Sequence, residues 1–395
     1  MRKSELATGC LCALGLVLTG CDPQFAQLWA GGPEALDEYL DFEAVIGGSN
    51  EAVVFHKADF PSREIWNAFS LLWLVSGGDP FERFTPTLTT AVVDTATGLA
   101  TLVNLDMSWE ENPVSDGRRI VWGDADEDVV RVYDVSTGQT ASVLAGAGAL
   151  PQVVAGDYLI ALTGWDAGAA IIALNLVTGE PFTLETGDAV FTTACDGTTL
   201  AVQFSSWPEI GDDAQADVLP AFGSSSIDVI DLRTRFRRTI YTTDQAGVSS
   251  LVVTRGRVIW LESIVDGDAF ENARFVVRAH TVASGADEVL MEIDADFSGF
   301  SGVFPAYLGP SGVVMMTMTG DEFTSHVAYE LRTYDGDVHP LFEGGFGLGS
   351  LPFPSFPWPA GDLVVYRDPA TGSWVIYDPA TRSRRSVTPF AAATP

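Results

Sequence analysis

The chain has 395 residues, 47% of them hydrophobic, with 53 acidic against 21 basic residues and a formal net charge of −32. This length and apolar content are ample for a sizeable core. The negative field excludes binding to nucleic acid or to an anionic lipid surface through overall charge, so no nucleic-acid partner is expected.

The first 20 residues have the order of a bacterial secretory signal. A basic pair, Arg2-Lys3, precedes an apolar stretch at 11–18, and Leu18-Thr19-Gly20-Cys21 follows. The apolar stretch is far shorter than the ~20 residues that span a bilayer, which indicates a signal peptide rather than a membrane helix. The four residues resemble the lipobox of bacterial lipoproteins. This resemblance implies cleavage between Gly20 and Cys21 and a lipid on Cys21, with an ordinary secreted protein as the alternative.

Lipidation implies a position on the extracytoplasmic face of a membrane, in the periplasm or at the cell surface, and leaves inner and outer membrane open. Residues 21–41 are predicted to be a short tether that keeps the folded part close to the bilayer. Once the signal is removed and Cys21 is lipidated, Cys195 is the remaining thiol, so no intramolecular disulfide is expected. Cys195 follows an apolar strand and is predicted to be a small buried hydrophobe.

A hairpin pattern recurs along the rest of the chain. Each copy has a turn, an apolar strand, a loop, a second apolar strand and a second turn, as in Ser115-Asp116-Gly117 to Gly138 and Gly361-Asp362 to Arg382. Repetition every roughly 40–56 residues is typical of β-propellers, which have one four-stranded blade per repeat. The residues that mark the second turns are Gly98, Gly138, Gly179, Arg235, Ser284–Gly285, Gly336 and Arg382.

These repeats predict an all-β protein with a single β-propeller over residues 42–390 and a frayed tail at 391–395. Seven four-stranded blades fit the spacing best, and six or eight remain alternatives. The strand aromatics Trp122, Tyr133, Trp260, Tyr366 and Tyr377 are expected to be buried between blades.

A short helical insertion is predicted in blade one, in the loop that separates its second and third strands. Ser62 is a plausible N-cap, residues 61–75 are mostly apolar, and Gly77-Gly78 ends the segment. Trp66, Phe69 and Trp73 are spaced to share one helical face. This face either packs on the ring or its channel, or docks a partner or the membrane surface.

Charge is predicted to differ between the two rims of the ring. In a propeller, the loops between second and third strands lie at one rim, and here they are acidic. The candidate binding residues among them are Asp124, Asp126, Asp128, Asp212, Asp213, Asp266 and Asp268. Arginines instead follow the short turns of the opposite rim, which is therefore expected to be basic-leaning: Arg118, Arg119, Arg233, Arg235, Arg237, Arg238, Arg255, Arg257, Arg382, Arg384 and Arg385.

Signatures of catalysis are weak. The chain has no Gly-x-Ser-x-Gly elbow, and its histidines lie in different repeats without the spacing of metal ligands. Asp124, Asp126 and Asp128 have the spacing of a calcium loop, but Val129 occupies its glycine position, so only a weak calcium site of another kind is left open. No cofactor is expected.

The repeat, with its Asp-Gly turn, apolar strand ending in an aromatic and Asp-x-x-Thr-Gly turn, resembles the TolB-type, WD40-like propeller repeats of bacterial envelope proteins. The resemblance covers roughly residues 42–388 and implies a scaffold role. The sequence therefore predicts a lipid-anchored propeller that binds another envelope protein. The alternative is a ligand-binding or catalytic propeller, with a sugar or metal site at the acidic mouth of the channel.

Overall fold

The computed structural model describes residues 39–61, 87–107, 113–124, 129–145, 149–163, 170–185, 189–205, 224–244, 246–265, 273–294, 301–320, 324–347 and 357–391. Within these ranges the protein is all-β, and they contain no helix. The helix predicted at residues 61–75 lies outside the described residues, except for Pro61, which ends a strand. The predicted helical insertion is therefore not supported.

The first eight strands form one sheet. They are β1 (Tyr39–Gly48), β2 (Ala52–Pro61), β3 (Thr87–Asp94), β4 (Ala100–Val103), β5 (Val114–Ser115), β6 (Arg119–Asp124), β7 (Val129–Asp134) and β8 (Gln139–Ala145). Their order across the sheet is β4-β3-β2-β1-β5-β6-β7-β8. Each half is an antiparallel meander of consecutive strands, and the halves meet where Gly47 pairs with Ser115 in parallel.

The next twelve strands form three separate four-stranded sheets. They are β9 (Leu150–Ala155), β10 (Tyr158–Leu162), β11 (Ala170–Asn175) and β12 (Pro181–Glu185); β13 (Ala189–Asp196), β14 (Thr199–Ser205), β15 (Ser225–Asp231) and β16 (Phe236–Thr243); and β17 (Gly247–Thr254), β18 (Arg257–Val265), β19 (Ala273–Thr281) and β20 (Ala286–Asp294). Each sheet is again an antiparallel meander in which neighbours in sequence are neighbours in space.

Two further four-stranded sheets complete the described chain. They are β21 (Gly302–Leu308), β22 (Gly312–Gly320), β23 (Thr324–Thr333) and β24 (Val338–Gly347); and β25 (Trp358–Ala360), β26 (Leu363–Arg367), β27 (Trp374–Asp378) and β28 (Ser383–Val387). Five sheets are thus separate four-stranded blades of a β-propeller. The prediction of seven separate blades is not supported, because one parallel pair merges the first eight strands into a single sheet.

The parallel pair depends on a glycine. Gly47 has φ +141°, and a Cβ atom placed there would lie 2.0 Å from the carbonyl oxygen of Ser115. A side chain therefore cannot fit between β1 and β5 without moving the backbone.

The second turn of every repeat was predicted correctly. The backbone has positive φ, between 56° and 96°, at Gly98, Gly138, Gly179, Arg235, Gly285, Gly336 and Arg382. In the best-defined turn, the Asp134 carboxylate accepts hydrogen bonds from the backbone N–H groups of Ser136 and Thr137, at 2.9 and 3.1 Å. This side chain replaces a backbone acceptor, which is why Asp or Asn suits the start of such turns.

The meander places two kinds of connection at opposite ends of the ring. Connections between first and second strands and between third and fourth strands lie at one end, which we call the turn rim. Connections between second and third strands, and from one group of four strands to the next, lie at the other end, the loop rim. Strand β1 runs from Tyr39 at the loop rim to Gly48 at the turn rim.

The core consists of apolar clusters between neighbouring groups of strands. One cluster joins the last sheet to the first and so closes the ring, with Val45, Phe55 and Val93 on one side and Trp374 and Ile376 on the other. The sheet β1–β8 is made of residues 39–145 and the last sheet of residues from Trp358 onward. Among the described residues, the ring is therefore closed by side chains, without a strand shared between the first and last sheets.

The expected burial of strand aromatics is confirmed for four of five residues. Trp122, Trp260, Tyr366 and Tyr377 are buried, whereas Tyr133 is partly exposed. Phe55 and Trp374 show how such rings pack, with centroids 5.1 Å apart in an edge-on arrangement across the closing junction.

Candidate functional site

Most sequence-predicted site residues lie outside the described residues. These are Gly20 and Cys21 at the N-terminus, Trp66, Phe69 and Trp73 of the insertion, and Asp126, Asp128, Asp212, Asp213, Asp266 and Asp268 of the acidic loops. Within the described residues, no helix is long and apolar enough to cross a membrane. Lipidation and docking through the insertion therefore stay predictions.

Asp124 is the one acidic candidate that the structure describes, and it is engaged by an arginine. Arg131 on β7 donates from Nε and Nη2 to the same Asp124 oxygen, at 3.0 and 2.8 Å. Charge-assisted pairs of this kind are strong when partly buried, as both groups are here. Asp124 thus serves the pairing of β6 with β7.

The pairing of Asp124 belongs to a motif that recurs in the sheet β17–β20. Glu262 stands two residues after Trp260, as Asp124 does after Trp122, and Arg278 opposite Trp260 approaches Glu262 at 2.8 Å. Glu262 is fully buried, and Tyr241 of the neighbouring sheet also hydrogen-bonds to it. Burial and that hydrogen bond raise the pKa of Tyr241 to about 12, so its hydroxyl remains a donor.

Five of the eleven arginines at the turn rim, Arg255 among them, form ion pairs with carboxylates of the described residues. Ion pairs join Arg237 to Asp228, Arg257 to Glu288 and Arg382 to Asp337. Arg119 lies 3.6 Å from Asp157 and also donates to the carbonyl of Gly156. The expectation of a basic-leaning rim is therefore not supported, because the turns that carry the arginines also carry acids.

A polar network at the turn rim was not found by sequence reasoning. The amide of Asn50 donates to Asp362 at 3.0 Å and accepts the backbone N–H of Asp362 at 2.7 Å. The same Asp362 oxygen accepts from Arg255 at 2.5 Å, and the backbone N–H of Arg255 donates to Asp196 at 2.9 Å. All four residues lie in turns between first and second strands, and this shared position was the signal available in the sequence.

Apolar side chains are exposed at the same rim. A large hydrophobic residue faces solvent at four of the connections between third and fourth strands. Leu99 (71% exposed) and Val177 (69%) lie in the turns, and Phe236 (64%) and Val338 (55%) are the first residues of β16 and β24. Such residues are normal singly, but their occurrence at four connections on one end of the ring makes this rim a candidate interaction surface. Leu102 and Val289 are also exposed, on outer strands.

The four histidines are not brought together. His280 and His339 are buried and contact Asp287 and Tyr377 respectively, and His326 is exposed on β23. His56 lies on β2 with its Nδ1 atom 3.1 Å from the Thr90 hydroxyl, and burial lowers its pKa to about 4. Among the described residues, no three His, Cys, Asp or Glu side chains are placed to hold a metal ion.

Cys195 packs as a small hydrophobe, as expected, but it is partly rather than fully buried. It packs against the cluster between the sheets β9–β12 and β13–β16, and its thiol lies 3.7 Å from the carbonyl of Gly197. Burial raises the thiol pKa to about 12, so the reactive thiolate is scarce at neutral pH.

Comparison with solved structures identifies the same fold. The β-propeller domain of the Trilobed protease from Pyrococcus furiosus, described as having an open velcro topology, matches with a TM-score of 0.52 and 11% identity over 88% of this chain and 95% of that chain. A puromycin-hydrolyzing peptidase of Mycobacterium tuberculosis matches with a TM-score of 0.51 and 12% identity over 89% of this chain, which spans only 54% of the peptidase.

TolB from Acinetobacter baumannii is a more distant neighbour. It has a TM-score of 0.37 and 12% identity, with 81% of this chain and 83% of TolB covered. No family model and no curated protein matches the chain. At these identities the likenesses concern fold alone. The first two, with TM-scores of 0.52 and 0.51, agree with the sheet order in identifying the chain as a β-propeller protein.

Proposed function

We propose that this protein is a lipid-anchored, extracytoplasmic β-propeller that acts as a protein-interaction or scaffold module in the bacterial cell envelope. The anchor rests on the order of basic, apolar and lipobox residues before Cys21. The interaction role rests on the turn rim, where Leu99, Val177, Phe236 and Val338 place an exposed apolar side chain at four connections between third and fourth strands.

The direction of β1 relates the anchor to this surface. The chain enters the ring at Tyr39, at the loop rim, and reaches the turn rim only at Gly48. A lipid on Cys21 is thus connected to the loop rim through 18 residues. This arrangement favours a turn rim that faces away from the anchoring membrane and is open to a protein partner.

We also propose that the eight-stranded sheet is two blades, which brings the ring to seven. Each half has four consecutive strands, as each separate sheet does. An apolar cluster with Val54 and Val92 on one half and Ile120 and Trp122 on the other fills the space between the halves, as clusters do between the separate sheets. An experimental structure tests this count by showing whether β1 and β5 line the axis side by side.

The anchor is tested by Cys21→Ser. Because the lipid is attached to the sulfur, the variant is expected to leave the detergent phase or to stay unprocessed. Normal processing and unchanged partitioning of the variant contradict the anchor but leave the interaction role open.

The interaction surface is tested by crosslinking in intact envelopes followed by purification and mass spectrometry. Val177→Ser with Phe236→Ser is expected to lower the yield of crosslinked partner. Leu102→Ser with Val289→Ser is the matched control, since both residues are exposed and apolar but lie farther along their outer strands, away from the turns. Equal yields from the two double variants contradict a partner site on the turn rim.

A further inference from the structure

Among the described residues the first and last sheets share no strand, and the polar network of the turn rim lies at the junction between these two sheets. Asn50 belongs to the first sheet and Asp362 to the last, and their two hydrogen bonds join residues 312 positions apart. These bonds bridge the closing junction at its turn-rim end, and the apolar contact of Phe55 with Trp374 bridges it farther toward the loop rim.

Arg255 extends this bridge beyond neighbouring sheets. It lies in the β17–β18 turn, and the sheet β21–β24 stands between its own sheet and the last one, as the apolar clusters that join successive sheets show. Arg255 contacts Asp362 although a whole sheet lies between their two sheets along the circumference of the ring. The ion pair therefore crosses the axial end of the ring, where the first-to-second-strand turns converge.

Neighbouring turns continue the contact around the axis. Asp196 accepts the backbone N–H of Arg255, and a Cβ atom placed on Gly156 would lie 3.7 Å from the Cα atom of Gly197. Arg119 joins the β5–β6 turn to the β9–β10 turn through the carbonyl of Gly156. A Cβ atom placed on Gly117 would lie 2.9 Å from the Ser49 hydroxyl, beside Asn50. These contacts thus run from turn to turn around the axis and end beside Asn50, at the closing junction.

We propose that Asn50, Asp362 and Arg255 form an axial latch that helps to keep the closing junction shut. Asp362 is central, because one of its carboxylate oxygens receives both the Asn50 amide and the Arg255 guanidinium. Arg255 is 77% exposed and Asp362 27% exposed, so salt in the solvent weakens their attraction. The latch consequently ties opening of the ring to ionic strength.

Hydrogen exchange of the full-length protein, resolved by mass spectrometry, tests the latch. In Arg255→Ala, peptides from β2 and β27, which flank the closing junction, are expected to exchange faster by roughly three- to five-fold, as for loss of one partly exposed ion pair. Peptides from β10, remote from the junction, are expected to exchange as in the wild type. Arg257→Ala is the matched control, because Arg257 lies in the same turn but pairs with Glu288 within its own sheet.

Two further measurements separate a latch from general destabilisation. The exchanged pair, Arg255→Asp with Asp362→Arg, is expected to exchange more slowly in β2 and β27 than Asp362→Arg alone, although Asn50 loses its carboxylate acceptor in both. Raising ionic strength toward about 1 M is expected to speed exchange at the junction in the wild type but not in Arg255→Ala. Uniform acceleration in all peptides, or identical behaviour of Arg255→Ala and Arg257→Ala, overturns the proposal.

Discussion

The first four strands have two neighbours in the ring, and the two junctions are built differently. Toward β5–β8, the junction has a continuous chain, a backbone pair between Gly47 and Ser115, and apolar packing around Trp122. Toward β25–β28, no backbone pair is formed among the described residues, and the junction relies on side chains such as Trp374 and Glu43. At the junction without a backbone pair, hydrogen bonds between side chains accompany the apolar packing.

Two tryptophans illustrate the contrast. Trp122 and Trp374 are both 1% exposed. The indole N–H of Trp374 donates to Glu43 at 2.7 Å, whereas that of Trp122 has no acceptor within the described part of the chain. Trp122 thus contributes packing alone at its junction, whereas Trp374 contributes packing and a hydrogen bond that fixes the orientation of its ring.

The largest effect is expected from truncating the closing tryptophan. Trp374→Ala is expected to lower the free energy of unfolding by about 3–5 kcal/mol, the range for removal of a large buried aromatic. Trp374→Phe keeps most of the packing but removes the indole N–H that donates to Glu43. Trp122→Phe removes no hydrogen bond. Denaturant titration is expected to show the larger loss for Trp374→Phe, and equal losses would show that the hydrogen bond to Glu43 is unimportant.

A smaller but still large effect is expected at the opposite junction. Gly47→Ala introduces a Cβ atom against the Ser115 carbonyl at a positive φ, and we expect a loss of about 3 kcal/mol. Gly138→Ala is the control, since Gly138 has φ 67° but its nearest neighbour to an added Cβ is 3.7 Å away. Its expected cost is about 1 kcal/mol. Thermal unfolding of both variants measures the difference in stability. A similar loss in both would mean that the backbone around Gly47 and Ser115 moves easily to admit the added Cβ atom.

The acceptor at the closing junction is expected to contribute less. Glu43→Ala leaves the buried N–H of Trp374 without its partner, which costs about 1–3 kcal/mol. Glu43→Gln retains an acceptor oxygen and loses only the charge, which lies 4.0 Å from Arg367. Urea unfolding is expected to rank wild type, Glu43→Gln and Glu43→Ala in descending stability. If Glu43→Gln is as unstable as Glu43→Ala, the charge rather than the hydrogen bond is what matters.

A pH-dependent effect is expected on the side of β1–β4 that faces β5–β8. Val54 packs in that junction and Phe55 in the closing one, so alternation along β2 places His56 on the side of Val54. Burial lowers the pKa of His56 from 6.5 to about 4. Between these values the unfolded chain binds a proton that the folded protein does not, so stability falls as pH drops from about 6.5 toward 4.

His56→Gln tests this assignment. The amide keeps a polar group beside Thr90 but does not titrate, so the free energy of unfolding is expected to change less between pH 7 and about 4 than in the wild type. Parallel curves for the two proteins would assign the acid sensitivity to other groups.

Sequence reasoning succeeded where the signal is local. The turn positions could be predicted even where arginine replaces glycine, as at Arg235 and Arg382, because the surrounding Asp and Thr residues repeat. It failed to find the axial network, because Asn50, Asp362 and Arg255 come from distant repeats and each looks like an ordinary turn residue. It also overestimated the positive charge of the turn rim, since pairs such as Arg382 with Asp337 form between repeats.

Among the described residues the first and last sheets share no strand, and this bears on the order in which the molecule folds. Every group of four strands is an antiparallel meander of consecutive strands, so its contacts are short in sequence and their loop-closure entropy is small. The contacts of Trp374 with Glu43 and of Asp362 with Asn50 instead span 331 and 312 residues. We therefore expect sheets to form one after another as the chain emerges, and ring closure to be the final step. By the same reasoning, the closing junction is the place where partial unfolding begins.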